Sequence, residues 1–225
     1  MRVSDLYPEN PLRGQDVYLI GTGPSLDVFP FEMLRGKVSV LLNDAQKHVP
    51  KWVGPVAFSN SLAFLEGCKR PIQVVKGRLK FDPEPERIDN HCPWDHPTYH
   101  VFSYRSRKHG DSVDHLDEAA MWLEPDCYWN TYRGSVSIFA AQFAMLCGAK
   151  SIGLVGCDCR DFLGFHYAAE KKVKRKVMHD YAAYVRGMQR MIQEGRKRGV
   201  PIVQVNPYVG IGTEEEQWHK MKAWK

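Results

Sequence analysis

The stretch Val17-Tyr18-Leu19-Ile20-Gly21-Thr22-Gly23-Pro24-Ser25-Leu26 carries the clearest structural signal in the chain. Four apolar, partly β-branched residues run straight into a glycine pair, and Pro24 and Ser25 then open a helical stretch that Pro30 cuts short. Strand, turn and helix in that order begin an α/β unit. Gly21 and Gly23 permit a tight turn and a close approach of the backbone to a phosphate, while Ser25 suits either a helix cap or a donor to a phosphate oxygen. Pro24 departs from the full dinucleotide fingerprint, so an ordinary strand-to-helix turn stays open as the alternative.

Working outward, Val38-Ser39-Val40-Leu41-Leu42 forms a second apolar run that ends at Asn43-Asp44, and residues 53–58 form a third that ends at Ser59-Asn60. Ile72-Gln73-Val74-Val75 adds a fourth strand. Residues 81–117 are rich in Pro, His, Asp and aromatics without a clean period, and residues 81–130 read as an irregular insertion or lid. Order returns at residues 135–147, a buried helix with Gly148 as its C-cap, followed by a central strand over 151–156 that runs into Cys157-Asp158. A basic amphipathic helix over 177–198 leads to a last strand, Ile202-Val203-Gln204-Val205, and a short helix is expected after Gly212. The alternation predicts one Rossmann-like, doubly wound, mostly parallel sheet spanning residues 1–225 as a single nucleotide-binding α/β domain.

Composition narrows the classes. With 225 residues, 44% hydrophobic and 25% charged, the chain is long enough for one sizeable core and is neither disordered nor a membrane span in character. The first ten residues lack an apolar core of the secretory kind, and six scattered cysteines suit reduced thiols, so a cytoplasmic setting is expected. A net charge of +5 favours anionic ligands without being the strong excess of a dedicated nucleic-acid binder. His91, Cys92, His96, His100, His109 and His115 have no metal-motif spacing, and no Walker or nucleophile-elbow sequence is present. Lys171, Lys172, Lys174, Arg175 and Lys176, with Arg186 and Arg190, read as a solvated helix face, the alternative being contact with nucleic acid or an anionic acceptor.

Gly21-Thr22-Gly23-Pro24-Ser25-Leu26 after an apolar strand resembles the Gly-x-Gly-Pro-Ser-Leu opening of the bacterial lipo-oligosaccharide sialyltransferases and of the archaeal hydroxymethylpterin pyrophosphokinase-like proteins. A second block, Tyr132-Arg133-Gly134-Ser135-Val136 and, after the helix, Ile152-Gly153-Leu154-Val155-Gly156-Cys157-Asp158, resembles their Ser-Gly-containing helix and Gly-x-Asp strand end. The resemblance implies that Gly21, Thr22, Gly23 and Ser25 hold a nucleotide, that Asn43 and Asn60 contact phosphate, ribose or sugar, and that Ser135 binds phosphate or sugar. It further implies that Gly156 and Asp158 line the nucleoside pocket. By residue chemistry alone, a strand-end turn for the asparagines and a helix cap for Asp158 remain alternatives.

In the sialyltransferases a histidine is the general base and tyrosines stabilise the leaving phosphate. His179 or His166 would be that base here, and Tyr167 would serve the phosphate with Arg160 in place of a second tyrosine. The expected activity is transfer of a sugar from a nucleotide-sugar to an acceptor hydroxyl of a glycan or small molecule, with no metal required. The alternatives are a magnesium-ATP diphosphotransferase, with Asp158 or Asp44 near the metal, and a non-catalytic nucleotide-binding module.

Overall fold

The computed structural model describes residues 10–59, 62–79, 100–105, 128–129, 135–158 and 181–205. Its strands are β1 (Asp16–Ile20), β2 (Val38–Leu42), β3 (Val56–Ser59), β4 (Ile72–Leu79), β5 (His100–Arg105), β6 (Tyr128–Trp129), β7 (Ser151–Val155) and β8 (Ile202–Gln204). They form a single sheet in the order β6-β5-β4-β3-β2-β1-β7-β8. Every pairing in it is parallel. The protein is therefore an α/β fold on a parallel sheet. Strand order steps one way from β1 to β6 and the other way from β7 to β8, so β1 and β7, adjacent in space, are the place where it reverses.

Side-chain alternation divides the core in two. Val17, Leu19, Val40, Leu42, Val56, Phe58, Ile152, Leu154 and Ile202 point to one face, beneath α1 (Val136–Leu146) and α2 (Tyr181–Lys197). α1 is apolar nearly all round and is buried along almost its whole length, with Phe143 set against Phe58 at 5.3 Å between ring centroids. Its end is a Schellman turn. The Gly148 amide donates to Met145 and the Ala149 amide to Ala144, and Gly148 takes φ +77°. α2 buries Met188 and Met191 and turns Gln189, Gln193 and Arg196 outward, as its amphipathic spacing predicts.

The opposite face carries Ile20, Leu41 and Val155 beneath three short 3₁₀ turns, Pro24–Val28, Phe31–Leu34 and Asn43–Lys47, which supply Leu26, Leu34 and Ala45, with Phe29 added by the C-cap of the first. Pro24 and Pro30 explain why the crossover after β1 is built from short turns: each opens a turn, and neither can sit in the interior of a longer helix. Residues 81–130, expected to be irregular, are strand where they are described: β5 and β6 extend the sheet from that region. The aromatic and β-branched content of His100-Val101-Phe102-Ser103-Tyr104-Arg105 is strand-forming, and the Pro- and His-rich flanks conceal it. The 151–156 strand ends one residue earlier, at Val155, since Gly156 turns away with φ +61°. No helix of the described residues is long and apolar enough to cross a membrane.

Candidate functional site

Because all the described strands run the same way, the polar ends of β1, β2, β3 and β7 lie on one edge of the sheet. In open parallel sheets that edge, at the point where strand order reverses, is where ligands bind. Gly21, Gly23 and Ser25, just after β1, meet Gly156 and Asp158, just after β7, there, although 133 residues separate Ser25 from Asp158.

The meeting is close. The β1–β7 ladder continues beyond the strands: the Gly21 amide donates to the Val155 carbonyl at 2.7 Å and the Gly23 amide to the Gly156 carbonyl at 2.7 Å. Ser25 completes the series through Asp158. Its amide donates to Asp158 Oδ2 at 2.7 Å and its hydroxyl donates to Asp158 Oδ1. No side chain fits between these segments. A Cβ on Gly23 would stand 2.5 Å from Asp158 Oδ2 and 2.7 Å from the Gly156 carbonyl oxygen, one on Gly21 would strike that same oxygen, and one on Gly156 would reach the Gly21 carbonyl oxygen at 2.7 Å. The glycines are thus required by contact between two strand ends, where the sequence suggested contact with a phosphate.

Asp158 and Ser25 are 1% and 0% exposed. Burial pushes the Asp158 carboxyl from its ordinary 3.8 up to about 6, the two bonds from Ser25 draw it back down, and the negative charge of Asp27 adds to the rise. For Asp158 the geometry is that of a cap: it receives the donors at the start of the 3₁₀ turn Pro24–Val28, reaching them from another strand. Thr22 differs from its neighbours. It is half-buried, and neither its amide nor its hydroxyl has a hydrogen-bond partner among the described residues.

The next strand ends add polar groups. Asn43 directly follows β2 and is the one non-glycine with positive φ among the described residues, at +49°. Its Oδ1 accepts the Ser59 hydroxyl, at the end of β3, at 3.2 Å. A left-handed conformation costs little for Asn, whose side chain bonds locally, and it bends the chain into the Asn43–Lys47 turn. Asp44 pairs with Lys47 at 2.5 Å. Ser135 is the N-cap of α1, accepting from the Ser137 amide at 3.4 Å and the Ser137 hydroxyl at 2.8 Å. Since α1 leads into β7, this N-terminus lies toward the same edge.

Asn60 and the four residues expected to do chemistry, Arg160, His166, Tyr167 and His179, lie outside the described residues, as do Lys171, Lys172, Lys174, Arg175 and Lys176. Arg190 is half-buried on α2. Sequence reasoning did not single out Ser59 as a partner of Asn43; its signal was a hydroxyl at a strand end one residue before Asn60. Comparison of the chain with family models, curated proteins and solved structures gave no match.

Proposed function

We propose that the chain is a nucleotide-dependent transferase of Rossmann-like, doubly wound architecture, which moves a sugar from a nucleotide-sugar donor to an acceptor hydroxyl. One observation carries the reading: a Gly-Thr-Gly turn, whose Thr22 has no hydrogen-bond partner among the described residues, stands where strand order reverses, on the same edge as Asn43, Ser59 and Ser135. Such an edge suits a ligand with an anionic diphosphate and a polyhydroxyl group, since amide and hydroxyl donors meet the phosphate while asparagine offers donor and acceptor together. Its connections also fit the doubly wound pattern, with 3₁₀ turns on one face and helices on the other.

In the proposed reaction His179 or His166 removes the proton of the acceptor hydroxyl as that oxygen attacks the sugar carbon, and the bond to the nucleotide phosphate breaks. Arg160 and Tyr167 take up the charge left on the departing phosphate. The diphosphotransferase reading calls for carboxylates able to turn to magnesium. Both oxygens of Asp158 are already engaged by Ser25 in a buried setting, and Asp44 pairs with Lys47, which favours the metal-independent scheme.

The test is a thermal-shift screen against CMP, UDP, GDP, ADP and ATP and the corresponding nucleotide-sugars, each with and without magnesium. A metal-independent shift with one nucleotide and its sugar conjugate is expected. A shift with ATP that requires magnesium would move the assignment to the diphosphotransferase. For the donor so found, His166→Ala or His179→Ala should abolish turnover while leaving donor binding unchanged.

A further inference from the structure

Every donor of the Gly21–Ser25 turn except that of Thr22 is already committed. The Gly21 and Gly23 amides end on β7 carbonyls, Pro24 has no amide hydrogen, and Ser25 gives both its amide and its hydroxyl to Asp158. A phosphate seated on Ser25 would have to displace a buried carboxylate, and the two anions would then share one pocket. Among the described residues no cation faces Asp158; the charged group acting on it is Asp27, from the same 3₁₀ turn as Ser25.

We propose that Asp158 is the positioning residue of this turn: by holding both donors of Ser25 from the end of β7, it fixes the turn so that Thr22, and not Ser25, meets the ligand's phosphate. The Thr22 half rests on the nucleotide-binding reading above; the latch between Ser25 and Asp158 stands on its own. Gly23 shows how tightly the latch sets the turn, since the carboxyl group fills the space a Cβ would need there. Thr22, between the two glycines, is left with an amide and a hydroxyl directed to no described partner. Asn at 158 can keep both bonds, its carbonyl oxygen accepting one donor and its amide pairing with the Ser25 oxygen, whereas Ala can keep neither.

The full-length chain, as wild type and as Thr22→Val, Ser25→Ala, Asp158→Asn and Asp158→Ala, is titrated calorimetrically with inorganic pyrophosphate, and amide hydrogen exchange is followed in each. Thr22→Val should weaken pyrophosphate binding roughly tenfold or more, as expected for losing a bond to a charged group. Ser25→Ala and Asp158→Asn should stay within about threefold of wild type, the size of a peripheral change. Asp158→Ala should lose binding as Thr22→Val does while its Gly23 and Ser25 amides exchange far faster, and Asp158→Asn should restore slow exchange. Tighter pyrophosphate binding by Asp158→Ala, or an equal loss in Ser25→Ala and Thr22→Val while the Gly23 and Ser25-position amides of Ser25→Ala still exchange slowly, would overturn the proposal by making Asp158 a competitor of phosphate at Ser25. If pyrophosphate binds none of the proteins, the Thr22 assignment falls together with the phosphate reading. Unchanged Gly23 and Ser25 exchange in Asp158→Ala would overturn the latch whatever the binding result.

Discussion

Replacing Asp158 by Asn should make the protein more stable at neutral pH and leave its stability near wild type at low pH. The buried carboxyl titrates at about 6 in the folded chain against 3.8 for the free group, so the folded state keeps a proton over a range where the unfolded state has lost it. A raised folded-state value means that the contribution is fully present below 3.8 and is lost as pH rises through about 6. The gap between 3.8 and about 6, at ~1.4 kcal/mol for each tenfold change in proton affinity, comes to about 3 kcal/mol. Asn preserves the shape and the Ser25 bonds without a charge to bury, so it escapes this loss. Urea unfolding of both proteins between pH 4.5 and pH 7.5 gives the difference directly, because the other carboxyls cancel between them. The advantage of Asp158→Asn should grow toward about 3 kcal/mol with rising pH. A flat difference, or one that favours Asp as pH rises, would show that burial does not hold a proton on Asp158, the latter by revealing a positive partner for the carboxylate.

Gly156→Ala combines a φ of +61° with a Cβ 2.7 Å from the Gly21 carbonyl oxygen, and should destabilise the protein by several kcal/mol in urea unfolding. Gly36→Ala, with φ +71° but open space around the Cβ, should cost only about 1 kcal/mol; equal losses would show that contact at the crevice does not matter. Burial pushes the Cys147 thiol up to about 12 against an opposing hydrogen bond from Asn10, so peptide-mapped alkylation of the native protein at pH 8 should label half-buried Cys68 well before Cys147, which should react only on unfolding. Asn43→Gly keeps the positive φ but loses the bond to Ser59, and should unfold within about 1 kcal/mol of wild type while nucleotide binding falls. Binding unchanged in Asn43→Gly would remove Asn43 from the site.

The strands that a reader of the sequence finds are those whose apolar run is bounded by polar residues: β1, β2, β3, β7 and β8 fall within a few residues of expectation, and β4 starts at Ile72 as expected but runs on to Leu79. β5 hides between Pro- and His-rich flanks, and β6 is only Tyr128–Trp129, too short for any period to register. The grouping of Gly21, Gly23, Ser25, Gly156 and Asp158 was legible as well, since each stands at the end of a predicted strand. What they do to one another was not. The Ser25–Asp158 bonds span 133 residues, and a capping carboxylate and a ligand-facing one look alike in a sequence. The positive φ of Asn43 was equally hidden, because an asparagine after a strand also suits an ordinary turn. Nor does composition tell that Gly21, Gly23 and Gly156 face a neighbouring strand end; that follows only from how near β7 comes to β1.

The most direct test of a ligand site at the β1–β7 strand ends is a map of backbone-amide NMR shifts on addition of whichever nucleotide gives the largest thermal shift, with wild-type protein at saturating ligand. Perturbations are expected at Thr22, Gly23, Asn43 and Ser59, with Gly14, Gly36 and Gly148 at the opposite edge unmoved. Perturbations centred on that opposite edge, or none at all at Thr22, would contradict a ligand site at the β1–β7 strand ends.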